Sequence, residues 1–100
     1  LGEANIYATQ GQLALISGDQ SAADRLLARA IAIDEAIGNR YGVAAKIGNY
    51  GWALRRAGRD DEARPYLRRA AALFAALGLD DYADRHRRAA EGSPPETREQ

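Results

Sequence analysis

The chain repeats itself. Shifted by 40 residues, Gly2 falls on Gly42, Gly11 on Gly51, Gly18 on Gly58 and Gly38 on Gly78. Ala4, Ala23, Leu27, Arg29, Ala30, Ala32 and Ala36 likewise fall on Ala44, Ala63, Leu67, Arg69, Ala70, Ala72 and Ala76. Apolar character is kept at Tyr7/Ile47, Ile33/Leu73 and Ile37/Leu77. An alanine-rich chain produces chance identities, but chance does not explain the paired glycines. A unit this short cannot bury its apolar face alone, so neighbouring units must stack.

Each unit reads as two helices. Alanine is abundant, while the β-branched and aromatic residues that favour strands are sparse, so closely packed helices are expected. The first helices run roughly 2–17 and 40–57, the second roughly 20–37 and 60–77. Gly18, Gly38, Gly58 and Gly78 follow the four helices, where a left-handed residue closes a helix. Asp19, and then Asp60 or Asp61, bring carboxylates to the next N-terminus, suited to capping and to the helix dipole. Ala23, Leu27, Ala30, Ile33 and Ile37 follow helical spacing, as do Ala63, Leu67, Ala70, Leu73 and Leu77.

A third start, LDDYADRHRRAAEG, follows Gly78. Asp80 is expected to cap a helix of about 81–91. Leu79, Tyr82, Ala83, His86 and Ala90 fall on one face, and Asp84, Arg85, Arg87, Arg88 and Glu91 on the other. One apolar and one charged face suit the terminal helix of a stack. Residues 92–100 carry a proline pair and no apolar residue, and read as a disordered tail or linker. The expectation is an all-α helical-hairpin solenoid over 1–91, with repeats at about 1–38 and 39–78 and a capping helix at about 80–91.

Several functions are excluded. Fourteen basic residues balance 14 acidic ones, and the basic stretches RRAGR and DRHRR are offset by Glu62, Asp81 and Asp84. No nucleic-acid partner is expected. No apolar run is long enough to cross a membrane. The start, LGEANIYATQ, lacks the basic and apolar regions of a signal peptide, so a cytoplasmic setting is expected. It also lacks an initiator Met, which suggests a piece of a longer protein. There is no cysteine. The single histidine, His86, lacks the partners of a metal site and reads as a packed side chain. The acid pairs stand at helix starts, Ser17, Ser21 and Ser93 have no nucleophile context, and GNYGWALRRAG lacks the end of a phosphate-binding loop. Neither an active site nor a cofactor is expected.

One set of positions is specific: Tyr7, Gly11, Gly18, Ala23, Leu27 and Ala30, then Ile47, Gly51, Gly58, Ala63, Leu67 and Ala70. This pattern resembles the tetratricopeptide repeat. The period of 40 exceeds the usual length of about 34. It is similar to the longer-helix variety of kinesin light chains and of repeat regions in bacterial regulators. The resemblance implies a non-catalytic scaffold whose concave groove holds a peptide or a partner domain. It implies small residues at Gly11 and Gly51 so that paired helices approach closely. It places Asn5, Ala8, Thr9, Gln12 and Ile16 in the groove, then Ala45, Gly48, Asn49, Trp52 and Arg56, with Arg85 and Arg88 added by the capping helix. Gly48 there leaves room for a ligand, or else eases the helix crossing. Trp52 either offers an aromatic surface beside Arg56 or packs on the neighbouring hairpin. The arginines Arg55, Arg56 and Arg59 either serve that surface or form a solvated helix end.

Two and a half repeats leave one end of the stack uncovered, with Ile6, Leu13 and Leu15 as candidates for the exposed surface. The alternative functions are therefore self-association through that end, or a regulatory domain of a multidomain bacterial signalling or transcription protein.

Overall fold

Four glycines set the layout. Gly18, Gly38, Gly58 and Gly78 have φ values of 89°, 74°, 80° and 78°. Each closes a helix in the left-handed conformation that a side chain would strain. The next residue's amide then bonds a carbonyl five residues back: Asp19 to Ala14, Asn39 to Asp34, Arg59 to Leu54 and Leu79 to Phe74, at 2.8–2.9 Å. These are Schellman closures. They separate five helices in the computed structural model, which describes residues 2–92. The helices are α1 (Gly2–Ile16), α2 (Gln20–Ala36), α3 (Arg40–Arg56), α4 (Asp60–Ala76) and α5 (Asp80–Ala90). Of the expected tail at 92–100, only Gly92 lies within the described residues.

The all-α class and the expected helices are present, with helix ends displaced by about one residue. Capping differs in detail. Asp19 Oδ1 accepts from the Ala22 amide at 3.1 Å, as expected, and Asn39 Oδ1 accepts from the Gly42 amide at 3.0 Å. Asp60, Asp61 and Asp80 are not N-caps. Arg59 and Leu79 occupy those positions without a side-chain cap, and the acids lie in the first turn, where they meet the positive end of the dipole.

Successive helices run antiparallel. Across α1 and α2, Arg29 lies over the Tyr7 ring at 4.7 Å. Across α3 and α4, Tyr41 meets Phe74 at one end and Tyr50 meets Tyr66 nearer the other. Phe74 stacks on Tyr82 of α5 at 5.2 Å, while Arg64 reaches the Ala90 carbonyl at the other end. The repeat is visible in burial. Ala4 and Ala44, Gly11 and Gly51, Ala23 and Ala63, Leu27 and Leu67, and Ala30 and Ala70 are all buried. The glycines are not equivalent, however. A Cβ at Gly51 would lie 2.8 Å from Leu67 Cγ and 3.2 Å from Leu67 N, so glycine is needed there. A Cβ at Gly11 would make ordinary contact, 3.4 Å from the Ala23 carbonyl.

Two expected surface assignments change. Leu15 is buried among Ala23, Leu27 and Leu54, so it is not part of the uncovered end. On α1 it falls on the same side as Ala4 and Gly11, while Ile6 and Leu13 face out. Ile37 is the C-cap of α2 and is exposed, because the helix has ended before its turn toward the core. Among the described residues, no helix is long and apolar enough to cross a membrane.

Candidate functional site

The odd-numbered helices share one face, and two open grooves run along it. The first, about 390 Å³, lies between α1 and α3 and takes in Asn5, Ala8, Thr9 and Gln12 from α1, and Tyr41, Ala45 and Asn49 from α3. The second, about 460 Å³, lies between α3 and α5, with Trp52 and Arg55 on one wall and Asp81, Asp84, Arg85 and Arg88 on the other. The residues expected in one groove are thus divided. Asn5, Thr9, Gln12 and Asn49 come together in the first, and Trp52, Arg85 and Arg88 in the second. Arg56 and Ile16 are exposed and line neither.

The first groove is polar without free charge. At its floor lies Lys46, the only lysine in the chain, 8% exposed. Its Nζ is 2.6 Å from Oδ2 of Asp34, which is 2% exposed. Asn39 Nδ2 donates to the other carboxylate oxygen at 3.3 Å. A Cβ at Gly42 would lie 2.6 Å from Asp34 Oδ2, so a buried glycine gives the ion pair its space. With the ammonium neutralised inward, the groove offers amides and the hydroxyls of Thr9 and Tyr41, which both donate and accept hydrogen bonds.

The second groove has an aromatic floor. Trp52 is half-buried, with its ring 6.1 Å from that of His86, so it both packs on the neighbouring helix and lines the groove. The Arg55 guanidinium lies 5.6 Å from the Trp52 ring centre, and its Nη1 donates to the Ala89 carbonyl at 3.2 Å. Arg59 binds Gln20 and Glu62. Of the three arginines at this helix end, only Arg56 is fully turned to solvent. Arg85 covers Tyr82 at 5.3 Å, and Asp84 pairs with Arg87.

Gly48 does not open onto a groove. It is buried, and a Cβ there would lie 2.5 Å from His86 Nε2 and 3.3 Å from Ala70 Cβ. His86, itself 6% exposed, fills the space, with Nδ1 2.7 Å from the Tyr82 carbonyl. Nδ1 therefore carries the proton and donates it, leaving Nε2 toward Gly48. The glycine at 48 exists so that a histidine from α5 can lie on α3. Gly48→Ala is expected to destabilise by about 1–3 kcal/mol through overpacking. Adding His86→Ala should couple favourably with it, by roughly 0.5–3 kcal/mol in a double-mutant cycle read by urea unfolding. Strict additivity would refute this packing relation.

Sequence reading missed the polar clamp between hairpins. Tyr50 is 1% exposed; its hydroxyl donates to Asp24 Oδ1 at 2.8 Å and accepts from Gln20 Nε2 at 3.0 Å. Burial first, and then the Asp24 carboxylate, push the Tyr50 phenol well above its ordinary pKa. The hydrogen bond from Arg59 holds the Glu62 carboxyl below its usual value. The available signal was the unusual placement of Lys46 and Tyr50 on the same α3 face as apolar residues. Their partners on α2 could not be read from spacing within one helix.

Among the described residues, no group of three or more His, Cys, Asp or Glu is placed to hold a metal ion. Compared with protein-family models, with curated proteins and with solved structures, the chain matches none.

Proposed function

We propose that the chain is a tetratricopeptide-like helical-hairpin scaffold of non-catalytic function, which holds a peptide segment or a partner domain along the face formed by α1, α3 and α5. The observation that carries this reading is the pair of adjoining grooves on that face. One presents uncharged amides at Asn5, Gln12 and Asn49; the other presents Trp52 between arginines. Amides suit the alternating donors and acceptors of an extended backbone. Tryptophan and arginine are the residue types that dominate interface energetics. The ionisable groups at the bottom of this face support binding rather than chemistry: Lys46 is held by Asp34, and His86 by the Tyr82 carbonyl.

The test is a selection from a library of random peptides, followed by titration of the selected peptides against the only tryptophan, Trp52, by fluorescence. Asn49→Ala is expected to weaken the selected peptides by about tenfold or more, a loss of roughly 1.4 kcal/mol. Asn49→Ala with Trp52→Ala, read by calorimetry, should abolish binding with helicity unchanged. Selected peptides that bind the double variant as well as the parent would exclude this face.

A further inference from the structure

The second groove is charged differently at its two ends. Its α5 wall carries Asp81 near the start of the helix and Arg88 near the end. Both are exposed, and neither makes an ion pair among the described residues. Pairs four residues apart on this helix could have cancelled the charges, Asp81 with Arg85 and Asp84 with Arg88. The structure does otherwise. Arg85 lies over the Tyr82 ring, and Asp84 is paired outward with Arg87. Opposite charges are thus left facing the groove.

The α3 wall reinforces the contrast. Arg55 donates one guanidinium N–H to the Ala89 carbonyl, which puts a second cation at the Arg88 end and leaves its other N–H groups for an acceptor. Trp52 stands level with His86, between the two ends, at 6.1 Å from ring to ring. Along the groove the order is therefore acid, aromatic, arginine. A segment of uniform charge meets a like charge at one end, which is costly, whereas a segment with one charge of each sign matches both ends. The spacing follows from geometry. Asp81 and Arg88 are seven residues apart on one helix, about 10.5 Å along its axis. A chain in polyproline-type extension turns once in three residues and rises about 9.3 Å in doing so. Side chains three apart then lie on one side at nearly that separation, and a residue between them is turned to another wall.

We propose that the second groove recognises an extended peptide segment in which a basic and an acidic residue stand three apart with an apolar residue between them. The base seats at Asp81, the acid at Arg88 and Arg55, and the apolar side chain on Trp52. The inference rests on the reading of the α1, α3 and α5 face as a peptide-binding surface, and it gives the segment a charge pattern.

The experiment is selection from bead-bound, N-acetylated random peptides by the full chain, with binding confirmed by Trp52 fluorescence. Peptides with Lys or Arg three residues from Asp or Glu should be enriched about tenfold or more over those with like charges at that spacing. Arg88→Glu should turn the preference to two basic residues, and Asp81→Lys to two acidic ones. Both positions are exposed, so helical circular dichroism should be unchanged, and should one variant lose helicity the other carries the test. The two substitutions together should restore the pair of opposite charges. Peptides that alter Trp52 emission but keep the same charges on every variant would overturn this inference and leave the peptide-binding face standing. A parent chain that selects purely acidic peptides would do the same. A chain that selects no peptide would remove both readings.

Discussion

Lys46→Met is expected to destabilise the protein by about 3–5 kcal/mol, because it leaves the Asp34 carboxylate buried without its counter-charge. Asp34 Oδ2 has no aligned hydrogen-bond donor, and the Lys46 ammonium at 2.6 Å is its charge partner. The Asn39 amide serves only the other oxygen. Replacing both members should behave differently. Asp34→Leu with Lys46→Met removes two desolvated charges together, and such exchanges are often neutral or stabilising by about 1–4 kcal/mol. Urea unfolding with an unchanged denaturant slope would measure both. A single Lys46→Met variant as stable as the parent would mean that the pair does not hold α2 to α3.

Phe74→Ala is the second large effect, at about 3–5 kcal/mol. Phe74 is 2% exposed and joins three helices: stacked on Tyr82, edge-on to Tyr41 at 5.8 Å, and beside His86. Removing the ring takes away its contacts with Tyr82 and His86 of α5. The His86 ring would lose its support, and Trp52, which packs on that ring, would gain water. Equilibrium unfolding should therefore lose stability while the Trp52 emission of the folded form shifts to the red. A stability loss below about 1 kcal/mol would show that the site collapses around the missing ring.

Helix positions were legible because their signals are local. A glycine with positive φ, an aspartate or asparagine before the next helix, and apolar residues at helical spacing each act within a few residues. Close packing at Gly51 was also legible through the resemblance, and Leu67 supplies its steric reason, whereas the repeat partner Gly11 has none. Gly48 was harder. The shift by 40 gives it Ala8 as counterpart, so nothing in the repeat points to His86, which lies 38 residues further on. Asp34 with Lys46, and Asp24 with Tyr50, were invisible for a related reason. Each member reads as an ordinary polar residue on its own helix, and only the antiparallel docking of α2 on α3 brings them together. Leu15 was misplaced because the end of α1, Leu13 to Ile16, is an unbroken apolar run, so spacing alone did not separate its buried side from its open one. The candidate groove was legible as a set of residues but not as two grooves. That division follows from where α5 comes to rest.

The three-residue links have a kinetic consequence. Because each helix turns back at once on the one before it, most contacts join residues close in sequence, and little chain entropy is lost in closing any one of them. Such a chain searches few alternatives and belongs with the fast folders of the microsecond to millisecond range.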